Sequence, residues 1–403
     1  MGDGARDPAG PAHFLLLCFL LVFAPLFLGG NRPLPLLVLE LTALGGLVFL
    51  AWQGRLWPMV LSLPAPMRWG AGILVVVPLV QLVPLPASLW SMLPGHAPYV
   101  GALGFAGEED LGAMRPISIH ARATEYSWLV LLPCLAAFLL TLAQPRRNVR
   151  RLAAVFVAVA VVEALLGIMQ LGAAAGSPLY FGNTHGGGAS TGTYVNRNHF
   201  AALMAMALPS ALVLWYLETR TSRGGNGEAM LPHPRHRDRW VAMQIALSLP
   251  ILFLLVALVF SMSRGGIGAG FLAFSLASLA LVSRSLSVPS RIAYGMVGVG
   301  ALALSLYIGL TPVLDRFAPD PLSSGFQGRG LIAAAAIRAG LDFLPFGSGL
   351  GTFADVFPRY QLGVMPGFVD HAHNDYAELF LELGVASVAV VALLGAAYLA
   401  RWT

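Results

Sequence analysis

Charge, cysteine and lysine are all scarce in this sequence. Only 11% of the 403 residues are charged, whereas soluble domains usually carry about a quarter. The two cysteines, Cys18 and Cys134, both lie within apolar runs, so neither a disulfide framework nor a cysteine-based metal site is supported. The basic residues are all arginine, which we attribute to genome composition.

Two further absences narrow the class of protein. No internal repeat is evident, so the inverted-repeat layout of many transporters is not supported. No basic stretch alternates with aromatic residues, so the formal net charge of +5 does not indicate nucleic acid. The charge instead fits arginines in loops that orient a membrane protein.

Apolar runs recur along the whole chain. Hydrophobic residues make up 57% of it, and the mean hydropathy is +0.74. Because a helix needs about 20 apolar residues to cross the hydrocarbon core, we predict about ten membrane spans. They cover 13–29, 34–52, 70–88, 126–143, 152–174, 198–216, 240–262, 266–283, 292–310 and 378–400. We expect the first to stay as an anchor, because Pro25 interrupts it and no signal-cleavage pattern follows.

Most arginines lie in loops of one parity, and the positive-inside rule assigns those loops to the cytoplasm. They are Arg55, Arg68, Arg146, Arg147, Arg150, Arg151, Arg220, Arg223, Arg235, Arg237, Arg239, Arg284, Arg291 and Arg401. The N-terminus is then cytoplasmic as well. The opposite face holds 89–125, 175–197, 263–265 and the long segment 311–377.

The expected fold is therefore an all-α polytopic membrane protein. We predict a transmembrane bundle over 1–310, a periplasmic loop domain with short helices over 311–377, and a final transmembrane helix over 378–403. The stretch 345–351 is rich in glycine and predicts a turn within the loop domain. Glu40 and Glu163 lie inside spans, where we expect hydrogen-bonding groups of the bundle interior, with a proton relay as the alternative.

Two arginines break the charge rule. Arg197 lies at the outer end of one span, and Arg264 lies at an outer turn between two others. One interpretation is that both reach lipid phosphates. The other is that two guanidinium groups bind a diphosphate, since their planar donors match phosphate oxygens in pairs. Gly265 and Gly266 would then let a bulky head group approach the backbone.

A second constellation is Asp370-His-Ala-His-Asn-Asp-Tyr-Ala-Glu378. Asp375 and Glu378 resemble a capping box, so His371 and His373 would precede a helix N-terminus. If the stretch is extended, both histidines point the same way. They are candidates for a general base or a substrate contact. A metal site with Asp370 or Asp375, and a structural cap, are the other interpretations.

At these residues the sequence resembles the O-antigen ligase and O-antigen polymerase superfamily of bacterial envelope enzymes. The matching stretches are 81–86, 116–120, 194–201, 261–266, 328–329, 345–353 and 371–384. They occur in order between about residues 70 and 400, on the face that the arginine distribution assigns to the outside. The His-Ala-His-Asn element with its trailing Glu-Leu-Gly is the most specific of them.

The resemblance implies a membrane glycosyltransferase of the polytopic, lipid-donor type. It implies transfer of a glycan from undecaprenyl diphosphate to a sugar hydroxyl, metal-independent and with inversion, at the periplasmic face of the inner membrane. Arg197 and Arg264 would hold the diphosphate, and His373 would be the base with His371 supporting it, although the motif does not fix which of the two histidines is the base. Substrate contacts are expected at Arg329, Asn198, His199, Asn374, Gly265 and Gly266. We expect no cofactor and no metal, since the lipid-linked donor is a substrate.

The acceptor is either the lipid A-core of a lipopolysaccharide or another lipid-linked glycan, and membrane lipids surround the protein in both cases. The Asn-Arg-Asn-His-Phe form is more similar to the exopolysaccharide-polymerase branch. The family usually has further spans after the histidine motif, so a truncated chain or a short variant is expected. Two other functions compete with transfer: a transporter or flippase of lipid-linked sugars, and a non-catalytic scaffold of an envelope complex.

Overall fold

The computed structural model describes residues 11–30, 32–105, 114–174, 176–182, 188–221, 234–282, 326–361 and 367–400, and these residues are mostly helical. The first helices are α1 (Pro11–Leu26), α2 (Pro33–Trp52), α3 (Leu56–Ser62), α4 (Ala65–Gln81), α5 (Ala87–Ser91), α6 (Ala97–Phe105) and α7 (Ala121–Leu142). They are followed by α8 (Arg146–Gln170), α9 (Arg197–Thr221), α10 (Pro234–Phe260), α11 (Arg264–Val282), α12 (Phe326–Asp342), α13 (Phe353–Val356), α14 (Asp375–Leu383) and α15 (Val385–Leu399). Short 3₁₀ turns occupy Leu28–Gly30, Pro178–Tyr180 and Phe357–Arg359.

Among the described residues, four helices are long and apolar enough to cross a membrane by length and composition: α2, α7, α8 and Arg197–Glu218 of α9. Shorter apolar helices lie at Ala12–Leu26, Ala65–Gln81, Ile245–Phe260 and Val385–Leu399. This supports an all-α membrane protein. The predicted number of ten spans, the periplasmic segment and the boundaries at 310 and 377 stay predictions. The predicted span 292–310 lies outside the described residues.

Proline explains where α2 begins. Pro33 is the first residue of this helix and follows the non-helical Arg32. Proline suits the first helical position because its fixed φ is already helical and its missing N–H would have had no helical partner. Prolines also occur inside helices, as Pro209 does in α9. In a membrane helix, neighbouring groups can satisfy the backbone that such a proline frees.

The chain divides into two compact units. Unit 1 comprises 1–42 and 140–318, and unit 2 comprises 43–139 and 319–403. In unit 1, one face of α9 forms the core with Phe200, Met204, Leu208 and Leu212, all of which are buried. Residues four apart lie on the same face of a helix, so this spacing gives α9 one continuous apolar face. That face packs with residues of α8 and α10.

In unit 2, the core consists of aromatic and small residues from α12, α13 and α14 and from the segments beside them. Phe343, Phe353 and Phe357 are almost completely buried, and Phe353 stacks on Phe357 with ring centroids 4.7 Å apart. Two short antiparallel strands, β1 (Pro84–Pro86) and β2 (Met114–Pro116), pair Pro84 with Pro116. Strand prolines are tolerated here because a two-stranded ribbon consists of edge strands.

The predicted last span, 378–400, consists of two helices. Gly384 has φ +59° and separates α14 from α15. A side chain at Gly384 would meet the carbonyl oxygen of Pro345 at 2.3 Å, so glycine is required both for the turn and for the close approach. Only α15 is apolar throughout, and α14 is a separate helix that carries the histidine motif at its N-terminus.

Candidate active site

Arg197 and Arg264 are the first residues of α9 and α11, and these two helices run parallel in contact. A side chain at Gly266 would meet Ala201 at 2.4 Å, and one at Gly270 would meet Ala205 at 3.4 Å. Both contacts advance by four residues in the same direction, so the two N-termini lie side by side. Adjacent helix N-termini concentrate partial positive charge and favour an anion.

Side-chain hydrogen bonds cap both helices and join them. The Asn196 side-chain oxygen accepts from Asn198 N–H at 2.8 Å. The Ser263 hydroxyl accepts from Gly266 N–H at 3.2 Å and donates to the Asn198 side-chain oxygen at 2.8 Å. Polar caps of this kind satisfy N–H groups that have no partner within the helix. We call Arg197, Asn198, Ser263 and Arg264 the arginine cluster. The Arg264 side chain is exposed.

Two polar residues of α8 accept hydrogen bonds from the loop that leads into α9. Glu163 is fully buried and accepts from Thr193 N–H at 2.8 Å. The Gln170 side-chain oxygen accepts from Gly192 N–H at 2.9 Å. The prediction that Glu163 is an interior hydrogen-bonding group is confirmed. Glu40 differs, because its Oε1 is buried without a hydrogen-bond partner among the described residues.

The two glycines after Arg264 have different surroundings. Gly266 has no space for a side chain because Ala201 of α9 fills it, so packing between helices explains this glycine. No described residue elsewhere in the chain lies within 4 Å of the Cβ position of Gly265, so this position has room for a ligand. His199, the remaining predicted contact in this part of the chain, is exposed on the first turn of α9.

The second group of predicted residues lies at the start of α14. His371 Nδ1 lies 2.8 Å from Glu378 Oε1, and the backbone N–H of Ala372 donates to Glu378 Oε2 at 2.8 Å. Ala372 is fully buried, so it anchors the segment between two exposed histidines. We call His371, His373, Asn374 and Glu378 the histidine cluster.

The helix cap differs from the predicted capping box of Asp375 and Glu378. Asn374 is the N-cap of α14, and its side-chain oxygen accepts from Tyr376 N–H at 3.1 Å and Ala377 N–H at 3.2 Å. Glu378 instead reaches back to His371 and Ala372. The expected extended stretch is also interrupted, because His373 has φ +53°. Histidine adopts this left-handed conformation more readily than most residues.

The charge on His371 is influenced by several carboxyl groups. The hydrogen bond that His371 donates to Glu378 raises the pKa of His371, against an opposing effect of burial. Asp370 and Glu382 add smaller effects in the raising direction. The His371 side chain is 66% exposed and the Glu378 side chain only 19%, so a substrate can reach the imidazole while the carboxylate is shielded.

A buried polar network that the sequence did not predict begins one helical turn after Glu378, at Glu382 of α14. Glu382 is buried on α14, and its Oε1 accepts from Phe353 N–H at 3.1 Å, two residues after the predicted glycine-rich stretch. The Gln81 side chain donates to the Glu382 carbonyl at 2.8 Å and accepts from Leu350 N–H at 3.0 Å. A polar residue inside an apolar run was the available signal for both Gln81 and Glu382, since a buried polar group needs partners.

A cavity of about 490 Å³ adjoins the histidine cluster, lined mainly by apolar residues of α12, α14 and α15 together with Asn374. Ile337 is the lining residue from α12. Arg329 is exposed on the first turn of the same helix. Eight residues separate the two, which is roughly 12 Å along a helix axis.

The structure therefore gathers the predicted residues into two groups. Arg197, Asn198 and Arg264 lie at the neighbouring N-termini of α9 and α11 in unit 1, and His371, His373 and Asn374 are neighbours in the chain in unit 2. The convergence of the two clusters stays a prediction. Within the described ranges, no three His, Cys, Asp or Glu residues are grouped as metal ligands.

Comparison with known proteins gives one match. Residues 249–392 match the family model described as O-antigen ligase, which confirms the resemblance over a range that includes Arg264 and the histidine cluster. No curated protein and no solved structure matches the chain. The match supports activity of the O-antigen ligase or polymerase type, a membrane protein, and glycan and lipid-linked substrates in general.

Proposed function

We propose that this chain, whose residues 249–392 match the O-antigen ligase family, transfers a glycan from undecaprenyl diphosphate to a hydroxyl group of an acceptor sugar. The reaction takes place at the periplasmic face of the bacterial inner membrane. The observation that carries the proposal is the pair of parallel helices, α9 and α11, whose joined N-termini each begin with an arginine.

The arginine cluster binds the diphosphate of the donor. Arg197 and Arg264 supply guanidinium donors, and the two helix N-termini add partial positive charge. Negative charge grows on the diphosphate as its bond to the sugar breaks, so oriented cations stabilise the transition state more than the bound donor. Asn198, His199 and the open backbone at Gly265 contact the donor head group.

The histidine cluster acts on the acceptor. A neutral imidazole removes the proton of the acceptor hydroxyl while the oxygen attacks the anomeric carbon from the face opposite the diphosphate, so the configuration inverts. The base is one of the two histidines: the family resemblance points to His373 with His371 in support, and the motif itself does not fix which of the two takes the proton. Asn374 and Arg329 contact sugar. No metal ion is needed, because the arginines neutralise the leaving group.

The acceptor distinguishes a ligase from a polymerase. A ligase transfers to a lipid A-core, and a polymerase transfers to another lipid-linked glycan; both reactions share the same chemistry at the anomeric carbon. A transporter is less well supported, because charged groups and broken helices near the membrane centre together with repeat symmetry would be expected of it. The candidate residues instead lie at helix N-termini.

Transfer in a purified system tests the proposal. The protein in lipid nanodiscs is mixed with an undecaprenyl-diphosphate glycan and an acceptor glycan in the presence of a chelator, and the product is measured by mass spectrometry. We expect transfer by the wild-type chain. In Arg264→Ala the transfer rate should fall about 100-fold or more, which is typical when one donor that stabilises developing negative charge is removed.

Arg338→Ala is the matched control, because Arg338 is an exposed arginine on α12 outside both clusters. It should retain wild-type activity. Full transfer by Arg264→Ala would contradict the assigned role of the arginine cluster. Movement of the donor between leaflets without any new glycosidic bond would identify a flippase instead.

A further inference from the structure

The carboxylate of Glu378 holds two groups at once. One oxygen lies 2.8 Å from His371 Nδ1, and the other accepts from Ala372 N–H at 2.8 Å. An ionised carboxylate only accepts hydrogen bonds, so Nδ1 of His371 must carry the proton in this contact. In neutral His371 the unprotonated nitrogen is then Nε2, which is directed away from Glu378.

Contacts on both sides hold Glu378 and His371 in these positions. Glu378 lies on the first turn of α14, whose N-cap Asn374 is bonded to the backbone, and Ala372 beside His371 is fully buried. The carboxylate is mostly shielded, whereas the imidazole is exposed. His373 has no hydrogen bond to any described residue, so its tautomer and orientation are not set in this way.

We propose that Glu378 is a positioning residue that holds His371 with Nδ1 protonated, so that His371 Nε2 accepts the proton of the acceptor hydroxyl. This inference rests on the proposed function and identifies which of the two histidines is the base. A carboxylate that orients an imidazole and stabilises its protonated form is a general arrangement for histidine bases.

In the proposed step, a bond forms between the acceptor oxygen and the anomeric carbon, and the bond from that carbon to the diphosphate oxygen breaks with its electron pair on the diphosphate. The acceptor proton moves to His371 Nε2, and the imidazolium beside Glu378 later releases it to water. No oxidant, reductant or further reactant is required.

Three carboxyl groups influence the titration of His371: Glu378 on α14, Asp370 next to it in the chain, and the buried Glu382. Removing the charge of Glu378 removes the largest contribution to the protonated form. His371 then loses its proton at a lower pH. The acidic limb of the pH–rate profile should therefore move to lower pH in Glu378→Gln.

The experiment compares wild type, Glu378→Gln and Asp375→Asn in nanodiscs. Asp375→Asn makes the same change of charge one turn away, at an exposed residue that does not contribute to the pKa shift of His371. Two quantities are measured across pH 5–9, a range spanning the ordinary histidine pKa. The first is the transfer rate, and the second is the modification of His371 by diethyl pyrocarbonate, which attacks the neutral imidazole and is quantified by mass spectrometry.

In Glu378→Gln we expect two shifts to lower pH of equal size. One is the pH at which half of His371 is modified, which we call the modification midpoint, and the other is the acidic limb of the pH–rate profile. The maximal rate should fall about 10- to 100-fold, which is part of what a general base contributes. Asp375→Asn should match wild type in both measurements. Glu378→Asp keeps the charge, so the midpoint of His371 modification should stay close to that of wild type while the shorter side chain supports only part of the rate. This comparison stands by itself if Glu378→Gln does not fold, and a wild-type rate in Glu378→Asp would contradict the positioning role.

The two measurements separate the possible failures. An unchanged modification midpoint in Glu378→Gln would overturn the positioning role. A shifted midpoint with an unchanged acidic limb would show that another group, such as His373, accepts the proton. Absence of transfer by the wild-type protein would overturn the proposed function and the catalytic role of His371, even where the midpoint still reports the contact with Glu378.

Discussion

At the scale of single residues, the sequence revealed side chains that break a rule of their surroundings. Arg197 and Arg264 stood out because outer loops of membrane proteins are poor in arginine. The partners of Glu378 and Glu382 could not be read in the same way. A glutamate in an apolar run indicates only that it needs a partner, because the identity of the partner depends on folding.

The buried carboxyl group of Glu382 gives a prediction at this scale. Burial raises the pKa of Glu382 to about 7, partly offset by hydrogen bonds from Gly351 and Phe353. An unfolded glutamate has a pKa of about 4.3. The folded state therefore binds the proton of Glu382 more tightly than the unfolded state does. The resulting contribution to the free energy of unfolding is complete below about pH 4.3 and is lost as the pH rises through about 7.

Glu382→Gln removes this dependence. The Tm of Glu382→Gln minus the Tm of wild type should be roughly 5 °C larger at pH 8 than at pH 5, measured by thermal unfolding in detergent. Glu125→Gln serves as the control, because Glu125 is exposed. A constant difference in Tm between Glu382→Gln and wild type over this pH range would show that Glu382 is ionised in the folded protein throughout.

At the scale of the helices, hydrophobic runs predicted where most long helices lie but not how they end. The break at Gly384 was missed, because the apolar residues of α14 and α15 form one nearly continuous run in the sequence. The cap was also assigned one residue too late, since Asn374 competes with Asp375 for that position. Which of several neighbouring polar residues caps a helix depends on backbone angles that composition does not give.

The contact between α9 and α11 gives a prediction at the same scale. In Gly266→Ala the new methyl group would meet Ala201, so α11 must move away from α9. We expect a loss of about 1–3 kcal/mol in stability, typical of overpacking. The Cβ position of Gly268 in the same helix meets no described residue within 4 Å, so Gly268→Ala should be neutral or stabilising by up to about 1 kcal/mol. Thermal unfolding of both variants in one detergent makes the comparison, and equal Tm values would contradict the close packing of the two N-termini.

At the scale of the whole molecule, composition was sufficient to predict a helical membrane protein, because a chain this apolar and this poor in charge has few other solutions. Contacts between distant segments could not be predicted. Gln81 and Glu382 are 301 positions apart, yet they share a hydrogen bond. Such pairs follow from three-dimensional packing and leave no periodic pattern in a single sequence.

In the proposed reaction the arginine cluster binds the donor and the histidine cluster activates the acceptor, so measuring donor binding separately from transfer tests both roles. A fluorescent polyprenyl-diphosphate glycan reports the donor Kd for wild type, Arg264→Ala and His371→Ala in nanodiscs. We expect Arg264→Ala to weaken donor binding by about tenfold or more, the value of one charge-assisted hydrogen bond. His371→Ala should bind the donor as wild type does while transfer is lost. Unchanged donor binding in Arg264→Ala, or an equal loss of donor binding in both variants, would contradict the account.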